Sequence, residues 1–136
     1  MIAQGIRNTQ GLVGGRADLF CLGEFLLRSG NSSSFEIRCD SLTDGDIRAL
    51  VFMLFERLPR FGDVEGIMGG LRIAAALREY SKDGEPILIV DDVLTSGSSM
   101  EEARAGRYAM GAVLFARGVC PGWVTPLFQL AARRVH

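Results

Sequence analysis

Residues 87–100 read ILIVDDVLTSGSSM, and this stretch decides the fold of the chain. Residues 87–90 form a continuous apolar run, which is typical of a β-strand covered on both faces. Two carboxylates, Asp91 and Asp92, come next and are followed by small residues. This order predicts a buried strand, a loop over residues 91–97, and a helix that begins at Ser98 or Ser99.

The loop after this strand has the composition of an anion-binding turn. Its small and hydroxyl-bearing residues are Thr95, Ser96, Gly97, Ser98 and Ser99. Such residues allow successive main-chain N–H groups to turn inward around a phosphate, with a helix start behind them. The two carboxylates can accept hydrogen bonds from a pair of sugar hydroxyls. Together the features suit a sugar with a 5′-phosphate, whereas each alone is also typical of an acidic strand end with a serine-rich helix cap.

Strands and helices alternate along the chain from residue 63 onward. We expect strands at residues 64–68, 87–90 and 112–116, and helices at residues 71–77, 98–110 and 126–135. This alternation implies an α/β fold with a mostly parallel, twisted sheet and helices on both faces. In such sheets the ligand site lies outside the carboxyl ends of the strands.

The segment before residue 63 predicts a helix and a β-hairpin. Residues 46–58 place apolar side chains on one helical face, with Thr43 or Asp44 as the cap and Pro59 after the end. Residues 24–28 and 34–38 alternate apolar and polar side chains, which predicts a hairpin or two connected strands. Residues 17–23 favour a short helix. We expect the hairpin to sit as a cap beside the sheet.

Composition limits the classes of function. The 136 residues suit one domain, and the net charge of −1 gives no basic field for nucleic acid. Residues 49–55 form the longest apolar run, which is far too short to cross a bilayer. The polar residues 1–11 lack the core of a signal peptide, and three scattered cysteines suit reduced thiols. We therefore expect a cytoplasmic protein that binds neither membrane nor nucleic acid.

Two common nucleotide-binding motifs are absent from the sequence. No lysine follows Gly97, so the loop is not the phosphate loop of a nucleotide hydrolase. Residues 66–70 lack the G-x-G-x-x-G order of a dinucleotide-binding turn. Lys82 is the only lysine, so a mechanism that needs several mobile ammonium groups is disfavoured.

Residues 87–99 resemble the signature with which type I phosphoribosyltransferases bind phosphoribosyl pyrophosphate (PRPP). The resemblance implies that Asp91 and Asp92 are the catalytic carboxylates, which hold the ribose hydroxyls or the waters of Mg²⁺ bound through PRPP. It implies that the loop residues hold the 5′-phosphate, namely Thr95, Ser96, Gly97, Ser98 and Ser99.

Residues 23–35, GEFLLRSGNSSSF, resemble the hood segment that covers the pyrimidine in orotate phosphoribosyltransferases. Arg28 takes the place of the basic residue of that segment, and Phe35 lies near the place of the aromatic one. These two residues would therefore contact the base. A hairpin with a polar turn is the alternative interpretation of the stretch.

Residues 63–74, DVEGIMGGLRIA, resemble the pyrophosphate loop of the same family, in which Gly69 and Gly70 would admit the diphosphate. Many orotate enzymes have a lysine where this chain has Gly69. Tight strand-to-helix packing is the alternative. Residues 113–118, VLFARG, resemble the strand whose final arginine lies near the orotate ring. Arg117 would bind a carboxylate there, or it is a solvated arginine at a strand end.

The resemblance covers about residues 16–118 of one domain, 1–136. It divides that domain into a hood at about 16–40, a core at 41–118 and a C-terminal segment at 119–136. It implies a homodimer that transfers ribose 5-phosphate from PRPP to a pyrimidine-type base, in particular orotate, and releases pyrophosphate.

One departure from the family pattern leaves the activity open. Active members have a long flexible loop with basic residues before the PRPP strand, but here only residues 81–86 separate the preceding helix from that strand. One alternative is a sensor that binds PRPP or a nucleotide without turnover. Another is a transferase for a different base, to which a partner chain supplies the cationic groups.

Overall fold

The computed structural model describes residues 20–26 and 32–130, with side chains over residues 37–130. The chain falls into two compact units, one ending at Asp44 and one beginning at Gly45. The first contains a pair of strands, and the second contains the parallel sheet. The division of a single domain into hood, core and C-terminal segment stays a prediction.

The strands of the first unit are β1 (Phe20–Leu26) and β2 (Ser32–Ile37), which pair antiparallel. Their register shifts between Leu22 and Phe25. Paired strands therefore occur where the hairpin was expected, although both begin earlier in the chain. The position of this pair as a hood stays a prediction.

The short helix expected over residues 17–23 is wrong for residues 20–23, which lie in β1. Residues 17–19 lie outside the described part of the chain. A short apolar run is compatible with either a helix or a strand, and here pairing with β2 decides the outcome.

Helix α1 (Asp44–Arg57) begins at the boundary between the two units. Its buried face consists of Ile47, Val51 and Leu54, at the spacing that the sequence predicts. The helix ends shortly before Pro59, which could not continue it. The helix expected at residues 46–58 is therefore confirmed.

The sheet of the second unit has four parallel strands in the order β3-β4-β5-β6. They are β3 (Val64–Gly66), β4 (Ile87–Leu94), β5 (Ala109–Ala116) and β6 (Val124–Gln129). Helix α2 (Leu71–Leu77) joins β3 to β4, and α3 (Ser98–Arg104) joins β4 to β5. This architecture confirms the predicted α/β fold.

Both faces of the central strand β4 are buried. Ile89 packs in one cluster with Met100 of α3 and Val113 of β5. Leu88 and Val90 point to the opposite face, because side chains alternate along a strand, and both are fully buried. The continuous apolar run at residues 87–90 is therefore explained by the burial of both faces of this strand, as the sequence predicts.

Four predicted boundaries around the sheet are wrong. Strand β3 ends at Gly66 rather than at residue 68. Strand β4 continues through the expected loop to Leu94, which pairs with Ala116 of β5. Helix α3 ends at Arg104 rather than near residue 110, because Ala105 and Gly106 adopt φ values of 53° and 75°. Strand β5 accordingly begins at Ala109.

The helix expected at residues 126–135 is also wrong, since residues 126–129 lie in β6. Pro126 pairs in register with Val113, and the described sheet ends at this strand. An edge strand tolerates a proline because its outer side needs no ladder hydrogen bond. Within the described residues, no helix combines the length and apolar character that a bilayer crossing requires.

Candidate functional site

The carboxyl end of β4 presents two adjacent carboxylates in different environments. Asp91 is only 1% exposed, whereas Asp92 is half-buried. The N–H of Asp92 donates to Asp91 Oδ1 at 2.8 Å, and the N–H of Val93 donates to Asp92 Oδ1 at 2.7 Å. Successive strand residues face opposite sides of a sheet. Asp92 is therefore the more accessible carboxylate at this edge.

The loop between β4 and α3 turns at Gly97. This residue has φ 88°, in the left-handed region that favours glycine, and its carbonyl accepts a hydrogen bond from the N–H of Glu101 at 3.0 Å. The hydroxyls of Ser96 and Ser98 lie 3.0 Å apart, and the N–H of Ser98 donates to Ser96 Oγ at 3.3 Å. The loop thus gathers hydroxyl and main-chain donors over residues 95–99.

The glycine pair after β3 packs directly on the end of β4. The N–H of Ile67 donates to Val90 O at 2.9 Å, which ties the turn to that strand. A Cβ added at Gly70 would lie 2.8 Å from Asp91 Cα, and one added at Gly69 would lie 2.5 Å from Asp92 Cγ. No side chain fits at either position without movement. The structure therefore brings the predicted diphosphate turn against the predicted carboxylates.

Large apolar side chains flank this glycine pair. Met68 and Leu71 are 71% and 60% exposed. The sequence analysis did not name these two residues, although apolar side chains on both sides of a glycine pair could have indicated them. They place exposed apolar surface next to the turn.

Arg117 follows β5 directly and lies at the same edge of the sheet. Its N–H donates to Leu94 O at 2.8 Å, at the end of β4. The next residue, Gly118, packs so closely on the carbonyl of Thr95 that a Cβ would overlap it. Partial burial lowers the pKa of the Arg117 guanidinium from its ordinary value, although an arginine stays protonated at neutral pH. The exit of β5 is thus fixed beside the loop after β4.

Gln129 was not found from the sequence, where it fell within a wrongly predicted helix. Its side-chain nitrogen donates to main-chain carbonyls on both sides of Arg117. Nothing in the sequence pattern distinguishes this glutamine, because its partners are backbone atoms brought near only by the fold.

The side chains of the two candidate base-contacting residues of the N-terminal segment lie outside the described part of the chain. Arg28 lies outside the described residues. Phe35 lies in β2 opposite Leu22, and only its backbone is described. Their roles stay predictions.

The connection from α2 to β4 is short and tied to the segment before β3. The N–H of Lys82 donates to Phe61 O at 2.8 Å, and the N–H of Gly62 donates to Pro86 O at 2.7 Å. Gly84 makes the turn with φ 83°. These hydrogen bonds hold residues 81–86 close to residues 61–62. The segment is therefore a short, tight connection.

Two ion pairs of the described residues involve other side chains, Arg107 with Glu65 and Arg104 with Glu101. Both nitrogens of the Arg107 fork donate to the carboxylate of Glu65, at 2.9 and 2.8 Å. Arg104 and the indole N–H of Trp123 donate to Glu101. These hydrogen bonds lower the pKa of both Glu65 and Glu101 from the ordinary value. They connect helices and strands and take no part in the edge formed by Asp92, Thr95 and Gly69.

The described residues provide no ready-made cage for a metal ion. Within residues 37–130 no three Asp, Glu, His or Cys side chains are grouped at ligand distance. Magnesium prefers oxygen ligands and often keeps several waters around one or two carboxylates and substrate phosphates. The half-buried Asp92 beside Gly69 could contribute one oxygen ligand to a magnesium ion that arrives with a phosphate ligand.

Comparison with known proteins gives matches only among solved structures. No protein-family model matches the sequence, and no curated protein matches it. The orotate phosphoribosyltransferase from Aeropyrum pernix has a TM-score of 0.66 and 24% identity, over 95% of this chain and 94% of that chain. The UMP synthase of Leishmania donovani has a TM-score of 0.65 and 19% identity, over 95% of this chain and 36% of that one.

A third similar structure is an orotate phosphoribosyltransferase of Mycobacterium tuberculosis H37Rv. Its TM-score is 0.60 at 13% identity, with 94% of this chain and 95% of that chain covered. At these identities the likeness shows the fold. The resemblance to orotate phosphoribosyltransferases that the sequence suggests is thereby confirmed at the level of the fold.

Proposed function

We propose that this protein is a phosphoribosyltransferase that moves ribose 5-phosphate from PRPP to a pyrimidine-type base, in particular orotate, and releases pyrophosphate. The observation that carries the proposal is the contact of Gly69 and Gly70 with the end of β4. It brings a glycine turn, a carboxylate pair and a hydroxyl-rich loop to one edge of the sheet.

In this proposal the loop after β4 holds the 5′-phosphate. The left-handed Gly97 turns the chain, and the hydroxyls of Ser96 and Ser98 lie close enough to contact one anion together. Thr95 and Ser99 complete the hydroxyl set of the loop. Main-chain and hydroxyl donors suit a phosphate because they supply hydrogen bonds without a mobile cation.

Asp92 holds the ribose hydroxyls or the waters around the magnesium that PRPP brings. It is the accessible member of the pair, and its carboxylate lies over the glycine turn. Asp91 is nearly fully buried, and its carboxylate accepts the N–H of Asp92. Asp91 therefore acts mainly by fixing the strand end from which Asp92 projects.

The base lies on the side of Arg117. A guanidinium can bind a carboxylate through two parallel hydrogen bonds, and orotate has such a group. The family resemblance adds Arg28 and Phe35 of the N-terminal segment to the base-contacting residues in this proposal.

The reaction itself requires mainly positioning and charge stabilisation. The bond between the anomeric carbon and the diphosphate breaks as a bond from the ring nitrogen forms, and the proton of that nitrogen passes to solvent. Charge on the departing diphosphate is stabilised by donors fixed before the reaction begins.

A second candidate function is supported by the connection before β4. Residues 81–86 are held by hydrogen bonds to Phe61 and Gly62, and they leave no length for a loop that closes over the site. This favours a sensor that binds PRPP or a nucleotide without turnover. We also expect a homodimer in the cytoplasm, for which light scattering and cell fractionation are the tests.

The decisive experiment follows pyrophosphate release from PRPP with Mg²⁺ and orotate. Matched reactions omit one component each, and one replaces orotate with uracil, which lacks the carboxylate. Release that requires orotate supports the transferase. Saturable binding of PRPP in calorimetry without any release supports the sensor, and the absence of both binding and release rejects the two functions together.

A further inference from the structure

Gln129, the last residue of β6, holds three main-chain carbonyls with one side-chain atom. Its Nε2 lies 3.2 Å from Ala116 O, 3.0 Å from Gly118 O and 3.1 Å from Leu130 O. All three partners are acceptors, so the nitrogen of the amide must face them and the oxygen must point away. The N–H of Leu130 adds a fourth contact to this group, since it donates to Ala116 O at 2.9 Å.

Two of these carbonyls belong to the residues on either side of Arg117. On its other side, the N–H of Arg117 is bonded to Leu94 O at the end of β4. Gly118 in turn packs on the carbonyl of Thr95, where the hydroxyl-rich loop begins. The backbone of Arg117 is therefore fixed between β4 and β6, with Gln129 as the clamp on the β6 side.

The side chain of Gln129 does not contribute to the buried core of the sheet. In β6 the buried side chains are Val124 and Leu127, whereas Gln129 is exposed. Water could satisfy the same carbonyls if the amide were absent, so its removal should cost little stability. What the amide provides is one fixed geometry for the turn at residues 116–118.

We propose that Gln129 is a positioning residue for Arg117 and thereby sets the affinity for the carboxylate of the base. This rests on the proposed function, in which Arg117 faces that carboxylate. Gln129 itself touches neither ligand. Its effect should fall mainly on the base side of the site, because residues 96–101 of the loop that holds the 5′-phosphate are fixed by their own hydrogen bonds.

The test compares two ligands on the full chain by calorimetry: orotidine 5′-monophosphate, which contains the base, and PRPP with Mg²⁺, which does not. Gln129→Glu keeps the size of the side chain and replaces the donor with a carboxylate that repels three carbonyls. We expect it to weaken binding of the nucleotide about tenfold and of PRPP less than about threefold, with an unchanged Tm.

Two further variants separate positioning from other effects. Gln129→Lys provides three N–H donors in place of the two of the amide, and should bring nucleotide affinity back to within about threefold of the wild type. Tyr108→Glu adds the same charge at a highly exposed position before β5, at the other edge of the sheet, and should change neither affinity.

Unchanged nucleotide binding in Gln129→Glu, or an equal loss for both ligands with a lower Tm, would overturn the proposal. A loss that Tyr108→Glu reproduces would overturn it as well, since charge alone would then explain it. A wild-type protein that binds neither ligand rejects the proposed function itself, and this outcome is seen before any variant is made.

Discussion

Strand β4 has one connection before it and one loop after it, and the two are held in different ways. Residues 81–86 are fixed by main-chain hydrogen bonds to Phe61 and Gly62. The loop after β4 is shaped by a left-handed glycine and by serine hydroxyls that bond to each other. Each contains one glycine with positive φ, Gly84 before the strand and Gly97 after it. A glycine with positive φ thus occurs in both segments. Before the strand, the segment is tied to its neighbour by main-chain hydrogen bonds, and after the strand it presents serine hydroxyl groups.

This difference between the two ends of β4 indicates at which end a ligand can bind. At the amino end, main-chain donors are already paired with main-chain acceptors of a neighbouring segment. At the carboxyl end, Asp92 and the loop hydroxyls lie beside a turn that has no side chains of its own at Gly69 and Gly70. Parallel sheets place their ligand sites at this end for the same reason.

The largest effect is expected from Asp92→Asn. The substitution keeps the shape of the side chain and removes the charge that strengthens its hydrogen bonds to hydroxyls or metal-bound water. Such bonds contribute about 1.5–3 kcal/mol, so PRPP affinity should fall roughly tenfold to a hundredfold. Calorimetric titration with PRPP and Mg²⁺ measures this. Asp83→Asn, in the connection before β4, is the matched control, and full PRPP affinity in Asp92→Asn would reject the role of the carboxylate.

A pair of alanine variants tests the comparison most directly. Gly97→Ala and Gly84→Ala each place a side chain at a positive φ, and neither new Cβ would contact a neighbour. Both should therefore lower the free energy of unfolding by about 1–2 kcal/mol. Only Gly97→Ala should weaken PRPP binding, by about tenfold, because it distorts the loop that holds the phosphate. Denaturant unfolding and calorimetry give the two values. Equal PRPP affinities in the two variants would remove the distinction between the connections.

A smaller loss of affinity is expected from Gly69→Ala. The new Cβ would overlap the carboxylate of Asp92, so that side chain must rotate away from the glycine turn. We expect PRPP affinity to fall about fivefold to tenfold, since the carboxylate then meets the ligand from a less suitable position. Gly122→Ala is the control, because its Cβ would meet no neighbour. A Gly69→Ala variant with wild-type affinity would show that the position of Asp92 over the turn has no role in binding.

Much of this edge could be predicted from the sequence because its motifs are contiguous. The apolar run, the carboxylate pair and the glycine of residues 87–100 all lie within one strand, loop and helix. The glycine pair at Gly69 and Gly70 follows a strand in the same way. Parallel topology then brings the ends of neighbouring strands together, which places both motifs at one edge.

Several of the errors fall where long-range pairing overrides a local pattern. Residues 126–129 are apolar enough for a helix, and only their pairing with β5 makes them a strand. Asp91 and Asp92 have a polar composition typical of a loop, but β4 continues through them because Asp91 pairs with Val113. Gln129 could not be found at all, since two of its acceptors are the carbonyls of Ala116 and Gly118, which only the fold brings near it.

The smallest effect on ligand binding is expected at the ion pair of Glu65 and Arg107. Hydrogen bonds from Arg107, and secondarily its charge, hold the pKa of Glu65 below its ordinary value of 4.5. A carboxylate with a depressed folded-state pKa contributes stability that is fully present above the unfolded value and is lost as the pH falls through the folded one. Glu65→Gln should therefore lower the Tm slightly at pH 7, and the difference from the wild type should shrink as the pH falls below about 4.5.

The same variant separates the fold from the site. The fork of Arg107 joins the start of β5 to β3 and lies apart from Asp92 and Thr95, so Glu65→Gln should leave PRPP affinity unchanged at neutral pH. Thermal unfolding from pH 7 to pH 3, with the exposed Glu102→Gln as the charge control, measures the effect on stability. If Glu65→Gln weakened PRPP binding as strongly as Asp92→Asn, the ion pair would belong to the binding machinery. The contrast between a cohesive part of the sheet and a ligand-binding edge would then have to be abandoned.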